Sequence, residues 1–267
     1  MPDYQESTLQ LITHRSIRLT PGDQGHRREV NLACKTLPMY DRTASLYDLA
    51  YADKDYAGEA VWVRDAIRAR LPGARSLLDV ACGTGKHLEH LHGDFACQGL
   101  DLNPEFVTIA AGRTGVNVHC ASMDGFDLGR EFDAVVCLFS SIGYSEDLTG
   151  AVGSMARHLA SDGVLIVEPW LRPDQWVPGL VHVVDHEADG TRLLRMTQSG
   201  IDGHTSILEM HHLVASRGGI EHLVETHRMS LFSLSDYESA FLASNLTFEF
   251  DEHGPMGRGA LIGRPLK

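Results

Sequence analysis

The 267-residue sequence is poor in every feature that would set it in a membrane, outside a cell or against a polyanion. No stretch approaches the roughly 18 consecutive apolar residues of a membrane helix. The N-terminal segment MPDYQESTLQLITHRSIRL lacks the compact apolar core of a signal peptide. A cytoplasmic protein with no membrane partner is therefore expected. Cysteine is scarce, five residues without a CxxC pair, so reduced thiols are expected. Four of them, Cys82, Cys97, Cys120 and Cys137, fall in or beside apolar runs, where cysteine acts as a small hydrophobe. Basic residues are outnumbered, 23 Lys and Arg against 36 Asp and Glu. A net charge of −13 with no basic cluster to offset it argues against nucleic acid as a partner. There is no HExxH and no Cys/His metal spacing, and the adjacent His211 and His212 would point to opposite faces of a strand, so no metal is expected.

What is present is an alternation. Residues 1–38 carry five Lys and Arg against four Asp and Glu, show weak periodicity and read as an N-terminal arm. Beyond them Thr43–Tyr51 and Tyr56–Leu71 read as helices. Buried-strand runs follow at Leu77–Ala81, Ala96–Leu100, Val116–Cys120, Ala134–Leu138 and Val164–Val167, with helical segments at Lys86–His92, Pro104–Arg113 and Thr149–Ala160 between most of them. Strands alternating with helices imply right-handed crossovers and a parallel sheet. From Leu171 the pattern changes to four strand-like runs, Val181–His186, Thr191–Gln198, Thr205–Ala215 and Ile220–Leu231, separated by hairpin signals such as Asp189-Gly190. The α/β pattern resumes with a helix at Ser235–Ser244 and strands at Thr247–Asp251 and Gly259–Gly263. The expected fold is a doubly wound α/β domain (39–170 and 234–267) with a mostly parallel seven-stranded sheet and a reversed last strand. An antiparallel β meander (171–233) is inserted into it, covering the acceptor site. A four-stranded sheet has two faces and an edge that one domain cannot wholly cover, so a homo-oligomer, a dimer in the first instance, is expected.

The stretch LLDVACGTGKHLEHL at 77–91 reads strand, tight glycine turn, helix, which is the entry to a nucleotide-binding crevice. Gly83 and Gly85 supply the turn, and Leu88 stands where the third glycine of a dinucleotide fingerprint would be. Asp101, eighteen residues beyond Gly83 at the end of the second strand run, is positioned to accept hydrogen bonds from ribose hydroxyls. A turn alone would explain the glycines but not Asp101. A nicotinamide-dependent dehydrogenase is the competing use of such a crevice.

LLDVACGTG followed by Asp101 resembles the class I S-adenosylmethionine-dependent methyltransferases. The segments YDLAYADKDYAGEA, FSSIGY, VEPW, ETHRMSLF and GPMGRGALIG resemble more narrowly the N,N-dimethyltransferases that act on nucleotide-linked amino sugars in macrolide antibiotic biosynthesis. The resemblance implies S-adenosylmethionine as cofactor. It puts Tyr47, Asp79, Ala81, Gly83, Thr84, Gly85, His87 and Leu88 around the first motif. Asp101 and Leu102 follow at the second strand, Ser122, Met123 and Asp124 after the third, and Leu138 at the end of the fourth. Where that group carries a Gly-Asp-Met run after the third strand this chain has Ala121-Ser122-Met123, and its paired tryptophans are here Trp170-Leu171. The resemblance also directs Arg258 toward the acceptor, where a guanidinium can clasp a phosphate.

Methyl transfer from a sulfonium is an in-line displacement, so the protein mainly positions, desolvates and deprotonates. Aromatic faces cover a cation without competing as nucleophiles; Tyr40, Tyr47, Tyr144 and Trp170 are the candidates. Tyr40, Trp170, Met256 and Arg258 form the candidate acceptor set. An alkylamine is mostly protonated at neutral pH and must lose a proton to react. Tyr144, Glu168 and His227 are the candidate bases, with His227 expected to alternate into solvent. The acceptor is then a small amine of specialised metabolism. A nucleotide-linked amino sugar would want convergent arginines and an alkaloid-type amine, such as an indoline, an apolar aromatic pocket. A non-catalytic cofactor-binding protein is the alternative of a different class.

Overall fold

The computed structural model describes residues 44–267, so the N-terminal arm, Tyr40 and Cys34 lie outside the described residues. Seven strands form one sheet: β1 (Ser76–Val80), β2 (Ala96–Asp101), β3 (Asn117–Cys120), β4 (Phe132–Cys137), β5 (Leu159–Val167), and, at the C-terminal end, β10 (Glu249–Asp251) and β11 (Ala260–Gly263). Their order is β10-β11-β5-β4-β1-β2-β3, parallel except that β11 runs antiparallel to β5 and β10. The fold is thus the expected one, with its topological switch between β1 and β4.

The near-continuous apolar character of these strands has a direct cause. Leu78 and Val80 pack into one core with Val135, Cys137, Leu165 and Val167, whereas Leu77 packs into the other with Val136 and Ile166. Successive side chains point to opposite faces, and helices cover both faces, so neither face has use for a polar residue. Leu77, Leu78 and Val80 are fully buried, each contributing about 1.5–3 kcal/mol of transfer free energy. The helix Pro104–Thr114 starts where Asn103 accepts hydrogen bonds from the Glu105 and Phe106 amides and Pro104 opens its first turn.

Two details differ from the sequence reading. The helix expected to run to Ala160 ends at Arg157, because His158 is buried and tied at both ring nitrogens, to the Ser154 carbonyl and the Leu128 amide, and Leu159 already pairs with Phe132 as the start of β5. Cys120 is exposed because β3 is the sheet's edge, unlike the buried Cys82, Cys97 and Cys137.

The second sheet is an antiparallel meander of β6 (Val181–Ala188), β7 (Thr191–Asp202), β8 (Thr205–Ser216) and β9 (Gly219–Ser230). Its strands are paired over almost their whole length, which carries β7 four residues past the expected Gln198 to Asp202. Cross-strand partners share a face. Leu193, Arg195, Thr197 and Ser199 of β7 and Leu223, Glu225, His227 and Met229 of β9 are accordingly all buried on the inward side. Among the described residues no helix is long and apolar enough to cross a membrane.

The turn after β1 yields a first prediction. Gly85 has φ of 78°, and a Cβ there would lie 2.9 Å from the Cβ of Ala110. Gly85→Ala should destabilise by on the order of 2 kcal/mol. Gly73→Ala, whose Cβ meets nothing within 4 Å, should be near neutral; urea denaturation of both variants measures the contrast.

Candidate functional site

The C-terminal ends of β1, β2, β4 and β5 open into a cleft of about 2210 Å³, which the inward side of the meander faces. One small ligand commonly fills 300–1,000 Å³, so the volume accommodates two. A chamber of about 30 Å³ beside it shares Tyr47, Ala81, Gly83, Phe139 and Ser141 with the cleft wall and adds Asp79, Thr84, His87 and Leu138.

At the β1 and β2 ends, Asp101 accepts hydrogen bonds from the Gly83 amide at 2.8 Å and the Asn103 amide at 2.9 Å. It is 8% exposed and lines the cleft, and burial raises its carboxyl above the usual range against the pull of those amides. Gly83 has φ of 56°, and a Cβ there would meet no protein atom within 4 Å and would project into open space. The two glycines of the turn therefore have different reasons to lack a side chain. Asp79 is 1% exposed, its Oδ2 has no hydrogen-bond partner among the described residues, and burial followed by the Asp101 charge pushes its carboxyl up to about 8.

The remaining expected cofactor residues divide. Tyr47 packs on Tyr51 and Phe106, and its helix is pinned to the glycine turn by Asp48, which accepts from Thr84 Oγ1 at 2.7 Å and pairs with Arg113. Leu102, Ser122, Met123 and Asp124 line the cleft, and Asp124 Oδ1 accepts from Ser145 Oγ at 2.5 Å. His87 faces the small chamber and bonds Glu59 at 2.7 Å, whereas Leu88 is fully buried in the apolar core. Ala81, Phe139 and Ser140 all take positive φ, between 52° and 60°. Non-glycine residues held there cost roughly 1–3 kcal/mol each, and these three sit immediately beyond β1 and β4.

On the opposite wall Trp170 donates from Nε1 to Ser206 Oγ at 2.9 Å, and Trp176 lies with its ring centroid 5.9 Å away. Trp176, from the RPDQWVPG segment, also lines the cleft and is a residue that sequence reasoning passed over. Arg258 donates to Ser140 Oγ at 2.8 Å and stands 5.7 Å over the Trp170 ring. Arg172, Arg195 and Lys54 also line this wall, none of them expected from the sequence. Lys54 Nζ pairs with Glu59, lies 3.2 Å from Met256 Sδ and 4.4 Å over the Phe139 ring. Burial lowers its pKa.

The candidate bases are brought near one another but differ in access. Tyr144 lines the cleft, with Oη 2.7 Å from His227 Nδ1. His227 is fully buried rather than alternating into solvent, since its β9 face is the one turned toward the α/β sheet. Glu168 is also fully buried behind the wall. Its Oε2 accepts from the Phe139 amide at 2.7 Å, and its Oε1 has no hydrogen-bond partner among the described residues. Burial pushes its carboxyl up to about 7, with Arg258 and Lys54 opposing the rise.

An adenosyl cofactor bearing an amino-acid tail fits these residues: a ribose diol at Asp101, open backbone at Gly83, and a cation for the orphaned Asp79 oxygen. Comparisons with known proteins agree. A methyltransferase-domain family matches residues 77–163. The chain is 43% identical over 230 residues to the dTDP-3-amino-3,4,6-trideoxy-α-D-glucopyranose N,N-dimethyltransferase of Streptomyces venezuelae, spanning 83% of this chain and 97% of that protein. It is similar to the sugar N-methyltransferase KedS8 of Streptoalloteichus (37% identity, TM-score 0.78, 96% and 100% of the two chains). It is similar also to S-adenosylmethionine-bound CalS10, an amino pentose methyltransferase from Micromonospora (35% identity, TM-score 0.75, 82% and 95%).

Two predictions follow from this geometry. Asp101→Ala should weaken S-adenosylhomocysteine binding by on the order of 2 kcal/mol, and Gly83→Ala should abolish it while folding persists; titration calorimetry reads both. The Asp79 carboxyl keeps its proton in the folded protein up to about pH 8 while the unfolded chain loses it near 4. Folding stability of the cofactor-free protein should therefore fall as pH rises through that window. Asp79→Asn should flatten the slope and raise the melting temperature at pH 8 by about 2–4 °C for each kcal/mol recovered, measured by scanning calorimetry.

Proposed function

Because this chain belongs to the family of S-adenosylmethionine-dependent amino-sugar N,N-dimethyltransferases, we propose that it methylates the amino group of a nucleoside-diphosphate-linked amino sugar in specialised metabolism. The observation that supports the choice of substrate is Arg258 in the acceptor wall, bonded to Ser140 and standing over the Trp170 ring, with Lys54, Arg172, Arg195 and Arg228 lining the same cleft beside seven carboxylates. A guanidinium set against an aromatic wall in this way suits a phosphate better than an alkaloid-type amine. The Trp170 and Trp176 rings supply the neighbouring apolar surface, against which a sugar ring or a methylammonium product can rest.

When bound, the cofactor supplies an electrophilic methyl on a sulfonium. Asp101 holds the ribose diol and Asp79 the ammonium of the amino-acid tail. Met123, Ser122 and Asp124 would border the adenine through backbone groups, with Asp124 Oδ1 engaged by Ser145. Tyr47 and the strained Ala81 turn close the pocket around the donor. Arg258 holds the acceptor phosphate. Tyr144, from the cleft wall, meets the amine, and Glu168 orders the Phe139 turn from behind. Most of the acceleration comes from alignment of donor and acceptor in a water-poor cleft.

The inserted segment 171–233 serves as cover for the acceptor and as a self-association surface in a cytoplasmic homodimer. Its outward side supports the second role, with Met196, Leu213 and Ile220 exposed at 49%, 43% and 76%.

Mass spectrometry of the enzyme with S-adenosylmethionine and a panel of dTDP-linked amino sugars and indoline amines tests the proposal. The amino sugars should gain two methyl groups in sequence, and methylation of the indolines alone would overturn it. Arg258→Ala should raise the acceptor KM by about ten- to a hundredfold, with cofactor affinity unchanged.

A further inference from the structure

Behind the cleft wall, the meander and the turn after β4 bring a file of titratable side chains into contact. Tyr144 Oη lies 2.7 Å from His227 Nδ1. His227 Nε2 lies 3.5 Å from Glu225 Oε2, and the same oxygen is 3.6 Å from His212 Nε2. His227 is fully buried, and His212 and Glu225 are 3% and 6% exposed. The file arises from strand alternation. Glu225 and His227 are two residues apart on β9 and share its inward face, opposite Met210 and Leu208 of β8. Arg195, across β7 from His212, sets its guanidinium 4.8 Å over the Tyr51 ring. Among the described residues, Tyr144 and Glu225 face His227, with His212 and Arg195 beyond Glu225. Burial, the largest cause, lowers the His212 pKa to about 4, so at neutral pH that imidazole carries no charge against Glu225.

We propose that Tyr144, His227 and Glu225 form a proton relay that removes the proton from the substrate ammonium, with Glu225 as the positioning residue that makes His227 a base. This rests on the N-methylation of an amino sugar set out above. Tyr144 has access to the cleft, while Gly143 beside it packs against Trp170 of the acceptor wall. The ammonium N–H bond breaks toward Tyr144 Oη as the phenolic proton passes to His227 Nδ1. The amine keeps the electron pair that attacks the methyl carbon. His227 is left as an imidazolium facing the Glu225 carboxylate, and water takes the proton once the products leave. The step requires Nδ1 to be a bare acceptor and Nε2 to carry hydrogen, and a carboxylate on the Nε2 side selects that tautomer and stabilises the cation. A separation of 3.5 Å is long for a hydrogen bond but suits an ion pair that tightens when charge forms.

The cofactor-free enzyme provides one readout. In 15N-histidine-labelled protein near pH 7, His227, assigned through His227→Asn, should show the Nε2–H tautomer. Kinetics with S-adenosylmethionine and a dTDP-linked 3-amino sugar provide the other. Glu225→Gln and Tyr144→Phe should lower kcat at about pH 7 by roughly ten- to a thousandfold. The KM for the acceptor and the affinity for S-adenosylhomocysteine should stay within about threefold of wild type. The deficit should close by about tenfold per pH unit toward pH 9 as neutral amine accumulates, and Glu225→Asp should recover part of the rate. An Nδ1–H tautomer in the wild type, or a deficit independent of pH, would overturn the relay. Failure of the wild-type enzyme to methylate any amino-sugar nucleotide would overturn the substrate assignment instead, leaving the resonance measurement to decide the relay.

Discussion

Three carboxyl groups lie at the ends of strands that are otherwise apolar, and the character of the site depends on how each is compensated. The sheet is covered on both faces, so Asp79 in β1, Asp101 closing β2 and Glu168 just after β5 are between 0% and 8% exposed. Removal from water disfavours their charged forms unless a cation or a donor stands opposite. Asp101 is met by two backbone amides, and Glu168 by one amide with Arg258 and Lys54 nearby. Among the described residues no hydrogen-bond donor meets Asp79 Oδ2. A ligand with an ammonium would supply what Asp79 lacks, and the Asp101 carboxylate, which lines the cleft, would accept from a ribose diol.

The same physics recurs in the meander. Strand alternation buries Glu225, His227, His212 and Arg195 on one face with Thr197, Ser199 and Ser206, and the charged and imidazole groups stay there by answering one another. Between the two sets run Ala81, Phe139 and Ser140 in left-handed backbone conformations. Strain of this kind persists only where surrounding packing over-determines it. Here that packing is the pair of apolar cores on which β1 and β4 rest.

Much of this was legible in the sequence because it is written at short range. The run Leu77–Val80, the turn through Gly83 and Gly85, and Asp101 eighteen residues on specify strand, crevice and a carboxylate at its mouth within a single unit. Hairpin signals at Asp189-Gly190 and beyond specify the meander. What was not legible depends on which face of an element meets another. The burial of His227 and the partnership of Glu225 follow from the docking of the meander, since alternation alone does not say which side faces inward. Trp176 escaped notice because it reaches Trp170 across an irregular segment that has no period. Leu88, six residues from Cys82 in sequence, belongs to the core because its helix turns that side toward Gly99 of β2.

The central claim is that a buried, protonated Asp79 awaits the cationic end of the cofactor, and proton release on binding tests it most directly. Calorimetric titration with S-adenosylhomocysteine near pH 7, in two buffers of different ionisation enthalpy, measures the protons set free. The account predicts release approaching one proton per site, fading as pH passes the value of about 8 for Asp79 and absent from Asp79→Asn. Identical binding heats in the two buffers for the wild-type protein would contradict it.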